Sequence, residues 1–177
     1  VQHPKTRGYL WEWMYNKAIK KNNLIGIKYE FVNVNLFIKE KEQTVKKSIG
    51  IMAFEEAFDK ILIESNKRRE GIILAFDESI IWNDRNQIRE LGITQLNDNV
   101  QDFKNSPIKL YNENKILSDP KLKKQFDIAV DLLKGLQEQK IKCSDVFDID
   151  KLTMFVALTN LFGGYHGLNG HNLKIYF

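Results

Sequence analysis

The feature that most limits how this chain can fold is a change of hydrophobic period along it. Over residues 27–54 apolar and polar residues alternate, in IKYEFVNVNLFI and again in SIGIMAF. Over residues 118–162 apolar residues recur every three or four positions. Alternation turns one face of a strand inward, whereas spacing of three to four turns one stripe of a helix inward. The chain is therefore expected to be α+β, with a small antiparallel sheet over 27–54 and a helical half over 118–162.

The finer pattern follows from the same periods. Leu10, Trp11, Met14, Tyr15, Ala18 and Ile19 fall at helical spacing, with Asn22 and Asn23 as stops and Trp11 on the buried stripe. KEKEQTVKK reads as an exposed hairpin loop between two strands, EEAFDKILIESN as a helix and GIILAF as a short buried strand. From Asp84 to Ser106 the pattern is polar and weak, helical in DRNQIREL and loop elsewhere. Ser118 is the expected N-cap of a helix that has Pro120 in its first turn and a stripe of Leu122, Phe126, Ala129, Val130, Leu133 and Leu136. A second helix, over 150–162, is apolar on most faces and is expected in the middle of a core. Gly163 and Gly164 end it, and a polar loop with His166 and His171 leads to a last strand pattern over 173–177.

Composition narrows the function classes. With 177 residues, 43% hydrophobic and 28% charged, the chain has the make-up and length of one globular domain with a proper core. The net charge is +4, but the lysines are mixed with acids, so no basic stripe marks a nucleic-acid surface and no nucleic acid is expected as partner. No apolar run has membrane-spanning length. Cys143 is the single cysteine, which excludes an internal disulfide and a cysteine zinc cluster; it reads as a buried or idle thiol. His166 and His171 lie five apart without an H-E-x-x-H helix, so they do not form a zinc motif.

The blocks VQHPKTRGYLWEW, FVNVNLF, SIGIMAFEEAFDK, RREGIILAFDESIIW, SPIKLYNENKILSDPKLKKQFDIAVDLLKG and VFDIDKLTMFVALTNLFGGYHGLNGHNLKIYF follow one another in an order that resembles the CotH family over almost the whole chain. Those bacterial proteins resemble a spore-coat protein kinase and have a reduced, atypical protein-kinase-like fold. The resemblance implies one CotH-like domain over residues 1–177, and extracytoplasmic, cell-surface or spore-coat placement. It implies an ATP- and Mg2+-dependent transfer of phosphate to Ser/Thr of a protein substrate. The kinase asparagine that helps hold magnesium corresponds to Asn172 in GHNLKIY, and a neutral amide oxygen suits that hard cation. The aspartate that orients the acceptor hydroxyl is expected five residues earlier, where this chain has Gly167; His166 beside it is the candidate base. Glu56 matches an acidic residue of the hinge-like segment near the nucleotide, and Arg7 a basic residue opening the regulatory helix. From the residues alone Glu56 equally suits a helix-start carboxylate, and Arg7 a surface salt bridge. By the same resemblance a nucleotide-binding basic residue would precede Val1 and an acidic metal-binding segment would follow Phe177, so the chain reads as an internal part of a longer protein. The alternative function is a catalytically impaired, pseudokinase-like binding or structural module.

Overall fold

A computed structural model of the chain describes residues 1–40, 43–77, 79–92 and 106–177, and the fold is α+β with antiparallel sheets. The chain divides into two compact units, Val1–Arg68 and Arg69–Phe177.

In the first unit a 3-10 turn, Pro4–Arg7, precedes helix α1, Trp11–Lys21. The turn starts where His3 Nδ1 accepts the Lys5 N–H and ends at Gly8, whose φ of 63° is left-handed. What α1 buries is Asn16 and Ile19. Trp11, expected on the buried stripe, is 60% exposed. It opens the helix next to Gly8, beyond the turns that pack. Asn16 is a buried polar residue with both ends satisfied: its Nδ2 donates to Glu12 O at 2.9 Å and its Oδ1 accepts from Ile27 N at 3.1 Å.

Strands β1, Tyr29–Glu40, and β2, Gln43–Glu55, form one long antiparallel hairpin. The charged stretch expected as loop is therefore strand as far as Lys39↔Thr44 and Glu40↔Gln43, and the connecting residues 41 and 42 lie outside the described ones. The end distant from Tyr29 buries neither face, so its ladder continues without the alternation that would have revealed it. A bulge between Val34 and Asn35 in the register falls beside Gly50, whose φ of 87° glycine adopts without strain. Helix α2, Lys60–Ser65, is capped by Asp59, which accepts from Ile61 N and Leu62 N. The buried apolar residues of this unit are Ile19, Tyr29, Ala53, Leu62 and Ile63.

The second unit is built on a three-stranded antiparallel sheet in the order β4–β3–β5, with β3 Ile73–Phe76, β4 Ile108–Leu110 and β5 Lys174–Tyr176. All of β3 is buried, as the apolar run GIILAF implies. Helix α3, Ser79–Glu90, begins five residues before the expected DRNQIREL helix; the loop expected over 93–105 lies outside the described residues. A short helix α4, Glu113–Ser118, then leads into α5, Pro120–Gln137. Ser118 is the last residue of α4, its Oγ donating to Lys115 O, and the cap of α5 is Asp119. The Asp119 Oδ1 accepts from Lys121 N at 2.8 Å and Leu122 N at 3.2 Å. Leu122, Ala129 and Leu133 of α5 pack with Ile72, Leu74, Leu110 and Ile116 in the core of this unit.

A one-turn helix α6, Cys143–Val146, with Cys143 exposed, comes before α7, Ile149–Leu161. The expectation that α7 lies in the middle of a core is overturned. Only Thr159 is buried, while Ile149, Met154, Val156 and above all Leu161, at 75%, are exposed. Leu152, Phe155, Leu158 and Phe162 form the half-buried side. An apolar sequence raises the benefit of burial on every face, but it does not supply a neighbour for each of them.

Candidate functional site

The candidate loop joins α7 to β5 in a series of tight backbone steps. Thr159 anchors its start: the side chain is 1% exposed and its Oγ1 donates to Phe155 O at 2.7 Å. Gly163 turns the chain at a left-handed φ of 66°, and Gly164 N donates back to Thr159 O at 2.7 Å. A 3-10 turn, Tyr165–Leu168, is closed by Gly167 N donating to Gly164 O, and a second, Gly170–Asn172, by Asn172 N donating to Asn169 O. Leu173 is extended and hands the chain to β5, which pairs with β3 from Ala75↔Lys174 to Ile73↔Tyr176. The second turn packs on β3, with the Cβ position of Gly170 3.9 Å from the Phe76 ring. One end of the loop is thus fixed to a buried strand, the other to a buried threonine.

Asn172 is half-buried where the second turn meets the strand. Its neutral side-chain oxygen is of the hard type that magnesium accepts, so the residue fits the ion it is expected to hold. Among the described residues no group of three or more His, Cys, Asp and Glu side chains could hold a metal ion. His166 and His171 belong one to each 3-10 turn, and Arg7 ends the 3-10 turn of the first unit; their side chains lie outside what the structure describes. Gly167 has no positive φ, and a Cβ there would meet only Thr159 Cγ2 at 4.0 Å. A larger side chain has room at this position.

Glu56 lies in the first unit and does not start a helix, since α2 begins at Lys60 with Asp59 as its cap. Its Oε2 accepts the Lys28 N–H at 2.9 Å, and its own N–H donates to Lys28 O at 3.0 Å. The side chain therefore closes the open end of the β1–β2 hairpin, a role that spacing alone did not suggest. At the other end of α7 from the loop, Asp148 caps the helix by accepting from Lys151 N. The Lys151 ammonium bonded to its carboxylate, and then the Lys151 amide, hold the Asp148 carboxyl below its ordinary range.

Compared with family models, with curated proteins and with solved structures, the chain matches none. No helix among the described residues is long and apolar enough to cross a membrane.

Proposed function

We propose that the chain is a CotH-like, protein-kinase-related domain that takes ATP with Mg2+ and acts on Ser/Thr of a protein substrate, at the cell surface or in a spore coat. What carries this reading is Asn172, half-buried at the end of the turn Gly170–Asn172 and two residues before β5, which pairs with the fully buried β3, in the loop-then-strand order of the kinase metal-binding asparagine. Asn172 would hold the magnesium, which when bound offsets the charge of the phosphates. His166 would take the proton of the acceptor hydroxyl as its oxygen bonds to the γ-phosphorus and the bond to ADP breaks. With glycine at 167 the acceptor lacks its usual orienting carboxylate, so transfer by this chain alone is expected to be slow.

A second reading, a pseudokinase-like binding module, is favoured by the exposed apolar side chains Met154 and Leu161, seven residues apart on one side of α7. Calorimetric titration with ATP in the presence and absence of Mg2+ separates the two. The kinase-related reading expects magnesium-dependent binding that Asn172→Ala weakens by about tenfold or more, the worth of one contact to a charged group. It also expects Gly167→Asp, for which there is room, to raise phosphate incorporation from labelled ATP. If no magnesium-dependent nucleotide binding is seen, the kinase-related reading fails and the binding module stands.

A further inference from the structure

Charge is not spread evenly along the chain. Residues 1–21 hold Lys5, Arg7, Lys17, Lys20 and Lys21 against one acid, Glu12, whereas the whole chain holds 27 Lys and Arg against 23 Asp and Glu. The same stretch exposes large apolar side chains in a row. Tyr9 is 56% and Leu10 58% exposed, and Trp11 and Met14 are exposed with them. Helix α1 continues this surface. By helical spacing Met14, Lys17 and Lys21 lie on the side away from the buried Asn16 and Ile19, and all three are exposed. Glu12 comes four residues before Asn16 and seven before Ile19, so it falls on the packed side, where it is half-buried.

The backbone that presents the tip is strained. Gly8 and Tyr9 are successive residues in the left-handed region, at φ of 63° and 58°. Glycine takes that conformation freely, but a bulky aromatic residue does so at a cost and keeps it only where its surroundings hold it there. Tyr9 is exposed, so burial does not offset the cost. The hold is on the page: Tyr9 N donates to Pro4 O at 2.9 Å, Trp11 N donates to Gly8 O at 3.2 Å, and Pro4 is buried. A Cβ on Gly8 would lie 3.4 Å from Trp11 Cβ, so the tryptophan packs on the turn. Bonds of 2.9 Å and 2.8 Å between Gln2 and Ala53 tie the start of this segment to β2.

We infer that the tip Tyr9–Trp11 and the outer side of α1 dock on an anionic phospholipid bilayer, with Tyr9, Leu10, Trp11 and Met14 entering its interface and Lys17 and Lys21 meeting lipid phosphates. Charge and side-chain type decide the partner. A surface whose exposed charges are all lysines is complementary to an anionic one. Tyrosine and tryptophan carry an apolar body and a polar tip, the chemistry that settles where headgroups meet acyl chains, and leucine and methionine add apolar area with nothing to read a base or a peptide by. The dimensions agree. At about 1.5 Å per residue Lys17 and Lys21 stand about 9 and 15 Å along α1 from Trp11, so their ammonium groups reach the headgroups when the tip enters by about 5–10 Å. The inference needs no spanning segment and stands apart from the nucleotide reading.

The test is co-sedimentation of the full chain with vesicles of phosphatidylcholine alone and of an equal mixture of phosphatidylcholine and phosphatidylglycerol. The expected result is binding to the mixed vesicles that added salt weakens, and much weaker binding to the neutral ones. Lys17→Gln and Lys21→Gln should each weaken it about fivefold, and Leu10→Ser about tenfold or more. Asparagine tolerates a left-handed φ better than tyrosine, so Tyr9→Asn should raise the melting temperature and still weaken vesicle binding; a merely structural role for Tyr9 predicts no such loss. Binding that responds to the lysine variants but not to Leu10→Ser or Tyr9→Asn is adsorption by charge and overturns the inference, as does equal binding to neutral vesicles. Absence of vesicle binding overturns it too, whether the chain instead binds single-stranded DNA, followed by fluorescence anisotropy, or forms a dimer lost in Leu10→Ser, followed by sedimentation velocity.

Discussion

Three of the four glycines of the α7–β5 loop, Gly163, Gly164 and Gly167, should respond differently to the same added methyl group, because their surroundings differ. At Gly164 an alanine Cβ would lie 3.1 Å from Thr159 Cγ2 and 3.3 Å from Thr159 O. Carbon atoms in contact prefer about 3.5–4.0 Å, so the methyl group overlaps a side chain that is itself 1% exposed and cannot move aside. Overpacking of this kind costs about 1–3 kcal/mol. At Gly163 nothing lies within 4 Å, but φ is 66°, and an L side chain there costs about 1–2 kcal/mol of backbone strain. At Gly167 neither obstacle is present, and alanine should be neutral or stabilising by up to about 1 kcal/mol through the unfolded chain. Magnitude alone does not separate the first two, but a second substitution does. Thr159→Ser removes Cγ2, so it should relieve Gly164→Ala by a coupling of about 0.5 kcal/mol or more and leave Gly163→Ala unrelieved. Urea unfolding followed by circular dichroism gives the energies, and amide exchange of β3 and α5 assigns the transition to the second unit. A neutral Gly164→Ala, or equal relief of both glycine variants by Thr159→Ser, would refute the account of how this loop is held.

Two further outcomes follow from capping. Asp119→Ala should destabilise the second unit by about 1 kcal/mol, measured by urea unfolding, whereas Ser118→Ala should stay within about 0.5 kcal/mol. The Asp148 carboxyl is lowered in the folded state, so its support of the first turn of α7 is present above the ordinary value of 3.8 and is lost as pH falls through the lower folded value. The Lys151 amide resonance should therefore titrate in that acid range, and an unchanged titration in Asp148→Asn would exclude Asp148 as its source.

The sequence by itself determined the element types wherever one period ran long enough beside a solvent-exposed or buried reference face. The two arms of the hairpin over 29–38 and 48–54, the stripe Leu122, Ala129 and Leu133, and the buried run of β3 were all legible in this way, whereas the paired residues 39–40 and 43–47 were expected as loop. It also supplied the residues of the candidate loop, because Gly163, Gly164, His166, His171 and Asn172 stand together in the chain. It did not supply β4, since three residues are too few to show a period, nor the cap of α5, since Ser118 and Asp119 are both good caps and only the end of α4 chooses between them. The exposure of α7 and Trp11 was beyond it for a related reason: apolar composition states how favourable burial is, while the neighbours available decide whether it happens. Lys109, Ala75 and Lys174 lie far apart in sequence. Only strand pairing, which acts between residues remote along the chain, sets those side chains in one row on one face.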